Sequence, residues 1–334
     1  MPIHKGTSHL SFDKTNGFIT ISGCETSMKR FSRRLESLAR TIRKRRTAYL
    51  FAAPAIITLL AITIFPLLYE IRLVFMSWEL TTSATPEFVG LQNLIKVLFQ
   101  DSRFWSSMRV TAVLIVLGVS IQLGIGTGLA LLLNRMGRWR TPLVSLFLIP
   151  VMIAPVVAGF QFRMIYHDQF GPLNYIIEII TGGRWRGFAW IADPNVALFA
   201  ILMTDVWQWT PFLMLIVLAG LQSIPLELYE AAEVDGASAW QSFWRITLPL
   251  LLPVIIIGIL IRAMDAFKLF DIVYLVTGGG PGNVTETISF YTYLQGFKFF
   301  SLGYTAAMAF IQLIIITLIA RFFLSSQKRQ RGET

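Results

Sequence analysis

Cysteine is almost absent. Cys24 is the only one in 334 residues, so no disulfide can form within the chain. Histidine is nearly as scarce, and His4, His9 and His167 are too scattered to offer metal-ligand spacing. Charge is thin as well: 14% of the side chains are charged, against about 25% in soluble domains. No GxxxxGK[ST] occurs, which excludes a phosphate-loop nucleotide site on this chain. No HExxH or comparable spacing occurs either, so a membrane-embedded enzyme has neither metal cluster nor nucleophile–base pair to work with. Residues 1–28 lack the apolar run of a cleavable signal, so none is expected, and Met28 offers an alternative start. No internal repeat or low-complexity segment is present.

What is abundant is apolar. Hydrophobic residues make up 54% of the chain, and the mean hydropathy is +0.62. They gather into runs close to the ~20 residues that cross a ~30 Å hydrocarbon core. These runs predict an all-α polytopic membrane protein with six transmembrane helices, over residues 49–69, 110–133, 143–165, 196–221, 249–264 and 302–324. Pro150 and Pro155 fall inside the third. Gly124 and Gly128 in the second make a small-xxx-small pair suited to helix packing.

The net charge of +10 is uneven. Residues 1–47 form a basic arm with eleven Lys and Arg and three acids. Arg135, Arg138 and Arg140 follow the second span, and Lys328, Arg329 and Arg331 lie in the tail, 326–334. With six spans these groups share one side, which places both termini in the cytoplasm. A basic segment directly before a span is the ordinary mark of a cytoplasmic terminus beside anionic membrane lipid, so no nucleic acid is expected. The opposite loops, 70–109, 166–195 and 265–301, are longer and of mixed charge. The triplet Gly278-Gly279-Gly280 with Pro281 and Gly282 reads as a turn there.

The loop 222–248 between spans four and five departs from the pattern. It holds Glu227, Glu230, Glu233 and Asp235 against one Arg245. Pro225 and Glu227 suit the first turn of a short helix through Tyr229, Glu230, Ala231, Ala232 and Glu233. Gly236 supplies the freedom to end it. A second short helix would carry Trp240, Phe243 and Trp244, with Pro249 opening span five. An acid-bearing, alanine-faced helix fits insertion into a groove on another protein, whereas four acids would repel an anionic bilayer surface.

Leu221-Gln222-Ser223-Ile224-Pro225-Leu226-Glu227-Leu228-Tyr229-Glu230-Ala231-Ala232-Glu233-Val234-Asp235-Gly236-Ala237, with Ile246-Thr247-Leu248-Pro249, closely resembles the EAA signature of ABC importer permeases. Phe170-Gly171-Pro172-Leu173-Asn174 and the run from Phe270 to Gly282, with Thr285 and Thr287, resemble outer segments of the carbohydrate-uptake subfamily that includes maltose and glycerol-3-phosphate permeases. The resemblance covers residues 48–325 and leaves the basic arm outside. It implies a permease subunit of an ATP-driven, binding-protein-dependent importer of a di- or oligosaccharide in a bacterial inner membrane. A polyol or glycerol 3-phosphate is the other substrate it allows. It implies a second homologous permease chain, two ABC ATPase subunits that hold ATP and Mg, and an extracytoplasmic solute-binding protein; this chain would bind no cofactor and would not itself be an enzyme. Glu230, Ala231, Ala232, Asp235, Gly236, Ala237, Leu248 and Pro249 would form the ATPase-coupling element.

Ionisable groups inside spans are costly and point to function. Asp205, Trp207 and Trp209 in span four and Asp265 at the end of span five combine aromatic faces with hydrogen-bonding groups, the pairing a sugar requires. They are the candidate substrate pathway; packing within the bundle is the competing role for each. Acids at mid-membrane also suit a secondary transporter driven by an ion gradient, but no inverted repeats support that reading, and it leaves the acidic loop unexplained.

Overall fold

The computed structural model describes residues 10–12, 19–21, 46–82, 85–183 and 187–330, with side chains from Leu50 to Phe323 within those ranges. Most of the basic arm, including Cys24 and Met28, lies outside the described residues. The chain divides after Tyr69 into two units. The first contains a short antiparallel pair, Leu10–Phe12 with Ile19–Ile21, and the helix Arg46–Leu59, which continues through a π turn, Leu60–Ile64. A second small pair, Met76–Ser77 with Glu87–Phe88, lies in the larger unit. Helices form nearly everything else.

Among the described residues five helices are long and apolar enough to cross a membrane: Leu50–Val74, Ser102–Asn134, Ala197–Gln222, Ala239–Ala266 and Leu302–Phe323. The expected third span is not one rod. Gly137–Met152 and Pro155–Ile165 meet at a bend of 88°, so the count is six only if that bent pair is one span. The cause is local. Pro155 disfavours helical backbone at the residue before it, and Ala154 is extended (φ −58°, ψ 137°), as is Ile153 (φ −78°, ψ 130°).

Other boundaries move outward. The second helix begins at Ser102, eight residues before its apolar run, because Asp101 caps it by accepting from the Phe104 amide at 2.9 Å. The fifth begins at Ala239 rather than near Pro249. Ala239–Ser242 runs through a π turn, Phe243–Thr247, straight into Leu248–Ala266. Pro249 therefore sits inside a continuous helix, in the first turn of its last α segment. The last helix continues to Gln330, into the expected tail.

Span four is the centre of the bundle. Two thirds of its apolar window is buried (67%), against 33% for spans two and five. Lipid tails are as apolar as leucine, so spans associate by close packing and polar contacts rather than by escape from water. The close approach between spans two and four falls at Gly126, where a Cβ would lie 2.9 Å from the Met214 amide nitrogen. Gly124 and Gly128, the pair expected to pack, have nothing within 4 Å of such an atom in this chain. Spans four and five pack Gly220 against Leu251 and Gly258 against Leu213 and Ile216. Around them Met214, Val217, Leu218, Leu221, Leu251 and Ile255 form one buried cluster with Ala130 and Leu133.

Candidate functional site

The loop after span four folds as two helices around a glycine. Helix Glu227–Val234 begins two residues after Pro225 and carries Glu227 and Glu230 in its first turn. It ends at Gly236, whose φ of +75° is left-handed. The Ala237 amide reaches back to the Ala232 carbonyl at 2.9 Å, and the Gly236 amide to Glu233 at 3.0 Å. This is a Schellman-type stop that closes a helix on a glycine. The next helix starts at once: Ser238 caps it, with Gln241 returning the bond to the Ser238 amide at 2.8 Å. The Tyr229 hydroxyl meets Thr247 at 2.9 Å and ties the first helix to the base of span five.

The outer face of this loop is uncovered. Glu230, Ala231, Asp235, Gly236 and Pro249 are exposed; Ala232, Ala237 and Leu248 are half-buried. Leu226 is 66% exposed, Val234 88% and Trp240 69%. Among the described residues none of Glu227, Glu230, Glu233 and Asp235 forms an ion pair. Large apolar side chains set among unpaired acids mark an interaction surface. Behind the loop lies an open cavity of about 1160 Å³, lined by Arg135, Arg140, Tyr229, Glu233 and Trp240 among others.

A second cluster lies within the bundle. Arg262 of span five, 1% exposed, places Nη2 2.5 Å from both carboxylate oxygens of Asp205 in span four. Its Nε donates to the Gln122 side-chain oxygen of span two at 3.0 Å. Gln122 in turn donates to Asp205 Oδ2 at 2.8 Å. Nη1 donates to Asp265 Oδ2 at 3.1 Å, and the guanidinium lies 5.1 Å from the Trp209 ring centre, a cation–π contact. Asp205, Trp209 and Asp265 thus meet around one arginine. Trp207 does not join them; it packs on Phe162 of the bent third span at 5.0 Å. Asp265 is the accessible member, with 49% of its side chain exposed. Gln208, about one helical turn from Asp205, donates to the Ile153 carbonyl at 2.8 Å and so satisfies the backbone that the break sets free.

At the other end of span two, Arg103 donates two hydrogen bonds to Glu286, at 2.9 and 2.6 Å. Glu286 is 1% exposed and also accepts from Ser107 at 3.0 Å. Asp101 accepts from the Tyr291 and Tyr304 hydroxyls, and burial together with that carboxylate pushes the Tyr291 phenol well above its ordinary range. Thr277, Thr285 and Thr287 staple the glycine-rich turn: Thr277 meets Thr285 at 2.8 Å, Thr285 donates to the Gly280 carbonyl at 2.7 Å, and Thr287 to the Leu269 carbonyl at 2.8 Å. Neither the Arg103–Glu286 pair nor the part of Gln122 was legible beforehand. Glu286 lies 183 residues from Arg103. Gln122 offered one signal, a lone amide in an apolar run.

Comparison with known proteins gives the family and the fold. The profile of the family described as "Binding-protein-dependent transport system inner membrane component" matches residues 120–332. The sulfoquinovosyl glycerol transport system permease protein SmoG of Agrobacterium fabrum is 36% identical over 277 residues, 83% of this chain and 89% of that protein. The trehalose/maltose transport system permease protein MalF of Thermococcus litoralis is 36% identical over 282 residues, 84% of this chain and 92% of the other. A crystal structure of a bacterial ABC transporter involved in alginate import shares the fold, with a TM-score of 0.76 at 22% identity, covering 88% of this chain and 99% of its counterpart.

Proposed function

Since the chain belongs to the family of binding-protein-dependent transport system inner membrane components, we propose that it forms half of the translocation pathway of an ATP-driven importer of a di- or oligosaccharide. A second permease chain supplies the other half, two ABC ATPase subunits bind ATP and Mg and hydrolyse the ATP, and an extracytoplasmic protein delivers the sugar. The observation that carries this reading is the loop between spans four and five. Its unpaired Glu230 stands between exposed Leu226 and Val234 on a short helix stopped by Gly236. Such a knob fits a cleft on an ATPase, with Glu230 meeting a basic residue there. ATP binding favours the state in which the two ATPases close; the docked helices move with them, and the spans rock as rigid bodies. Both termini then lie in the cytoplasm of a bacterial cell.

The sugar is argued from the relatives' substrates and from the central cluster. Trp209 offers an aromatic face, and Asp265 an acceptor for hydroxyl groups. Arg262 is already engaged by two carboxylates, so it is not a free anion site; exposed Arg163, bonded to the Leu275 carbonyl at 3.1 Å, keeps glycerol 3-phosphate as the second reading.

The test is Glu230→Lys in proteoliposomes containing the complete transporter and its binding protein. ATP-driven uptake of the sugar should be lost, with the chain still in the membrane. Uptake at the normal rate would remove the coupling role. Uptake driven by an ion gradient without ATP would replace the whole reading.

A further inference from the structure

We infer that the helix Pro172–Thr181 is a monolayer anchor, inserted in the leaflet at the end of the bundle opposite the coupling loop. The inference rests on the chain being a membrane component and does not depend on which solute it carries.

Its exposed residues are Pro172, Tyr175, Ile176, Ile179 and Ile180, spaced i, i+3, i+4, i+7, i+8, so they fall on one stripe of a helix. None is charged. Tyr175 is 66% exposed and Ile180 76%, among the most exposed apolar side chains of the larger unit. The opposite face is fastened. Asn174, 5% exposed, donates to the Asp168 and Phe188 carbonyls at 2.9 and 3.0 Å and accepts from the Trp190 indole at 2.7 Å. These bonds set the rotation of the helix about its axis, so the apolar stripe is held outward.

Depth follows from the same bonds. Asp168 is three residues past Ile165, the end of the bent span. The Gly171 amide bonds the His167 carbonyl at 3.0 Å, and a Cβ at Gly171 would meet that oxygen at 2.3 Å. The helix is therefore folded back onto the end of the bent pair's second limb, beside the start of span four, whose Ala200 carbonyl accepts from the Tyr166 hydroxyl at 3.1 Å. It cannot stand out in water away from the bilayer surface. A short helix with an aliphatic face and a tyrosine, lying at the level where spans end, has the form of an interfacial helix. A delivery protein that docks and departs in each cycle would leave three isoleucines in water between visits, whereas the lipid surface is always present.

The experiment places nitroxide labels on the complete transporter in vesicles of phosphatidylethanolamine and phosphatidylglycerol. Ile176→Cys, Ile180→Cys and Asp168→Cys are made singly on a Cys24→Ser background; each labelled position is exposed. Labels at 176 and 180 should collide with oxygen several-fold more than with a water-soluble nickel chelate, and the label at 168 should do the reverse. Chelate access at 176 and 180 equal to that at 168 would overturn the anchor. Protection from both reagents would overturn it too and assign the stripe to a protein partner: the second permease chain if protection is constant, or the delivery protein if it arises only on docking.

Discussion

Arg262 and Asp205 form a buried ion pair between spans five and four, with Nη2 of the arginine equidistant, at 2.5 Å, from both carboxylate oxygens. Gln122 completes the contact from span two, so three spans share one polar knot in an apolar bundle.

Asp205→Ala leaves Arg262 without its main partner. Breaking a buried pair on one side costs about 3–5 kcal/mol. The half-exposed Asp265 retains its bond to the arginine, so the loss should fall at the lower end of that range. A lowered thermal unfolding temperature in detergent would register it. Asp205→Leu combined with Arg262→Met should recover most of the stability. A double variant as unstable as the single one would show that the pair is not the cause.

Gly126 and Gly124 differ by two positions and should differ sharply in tolerance. Gly126→Ala puts a methyl group against the Met214 backbone, and overpacking of this kind costs about 1–3 kcal/mol. Gly124→Ala meets nothing within 4 Å in this chain. Unfolding of the isolated, detergent-solubilised chain tests this; equal stability of the two variants would refute the packing assignment.

Glu286→Ala orphans both Arg103 and Ser107 and should loosen the segment from Ile288 to Tyr293 from span two. Each buried polar group left unsatisfied costs about 1–3 kcal/mol, and Arg103, whose side chain is 35% exposed, can turn to water, so Ser107 sets the scale. Faster amide hydrogen exchange over residues 287–293 is the expected readout, with the coupling loop unchanged.

Gly236→Val forces a β-branched residue into left-handed backbone. The strain is about 1–2 kcal/mol and falls on the joint between the two loop helices. Substrate-stimulated ATP hydrolysis by the assembled transporter should drop, while the fifth span, which begins beyond the joint, keeps its helix content by amide exchange.

The helix–glycine–helix form of the loop after span four was legible in the sequence because Gly236, which ends the first helix, is a local signal; the cap by Ser238 and Gln241 is equally local but was not read. The apolar runs likewise declared themselves by composition. The break in the third span was not read although both of its prolines were in view: apolar length says that a segment belongs in the membrane, not that it stays straight, and what tolerates the break is Gln208, more than fifty residues away. The glycines that pack within this chain were missed for a related reason. Gly124 and Gly128 match a spacing rule, but which face of span two meets span four is decided by partners such as Gln122 and Gly126, whose partners lie elsewhere in the chain. Of the proposed pathway residues, Asp205, Trp209 and Asp265 converge only through Arg262, and Trp207 points to a different neighbour.

The fusion of the second loop helix with span five has a mechanical meaning. From Trp240 to Arg262 the helical path runs through a π turn into the span, roughly 33 Å at 1.5 Å per residue, and Pro253 leaves one rung of its ladder unmade. A tug at the loop is therefore carried along one helix toward the arginine knot, and Pro253 is the place along it where the helix gives most easily.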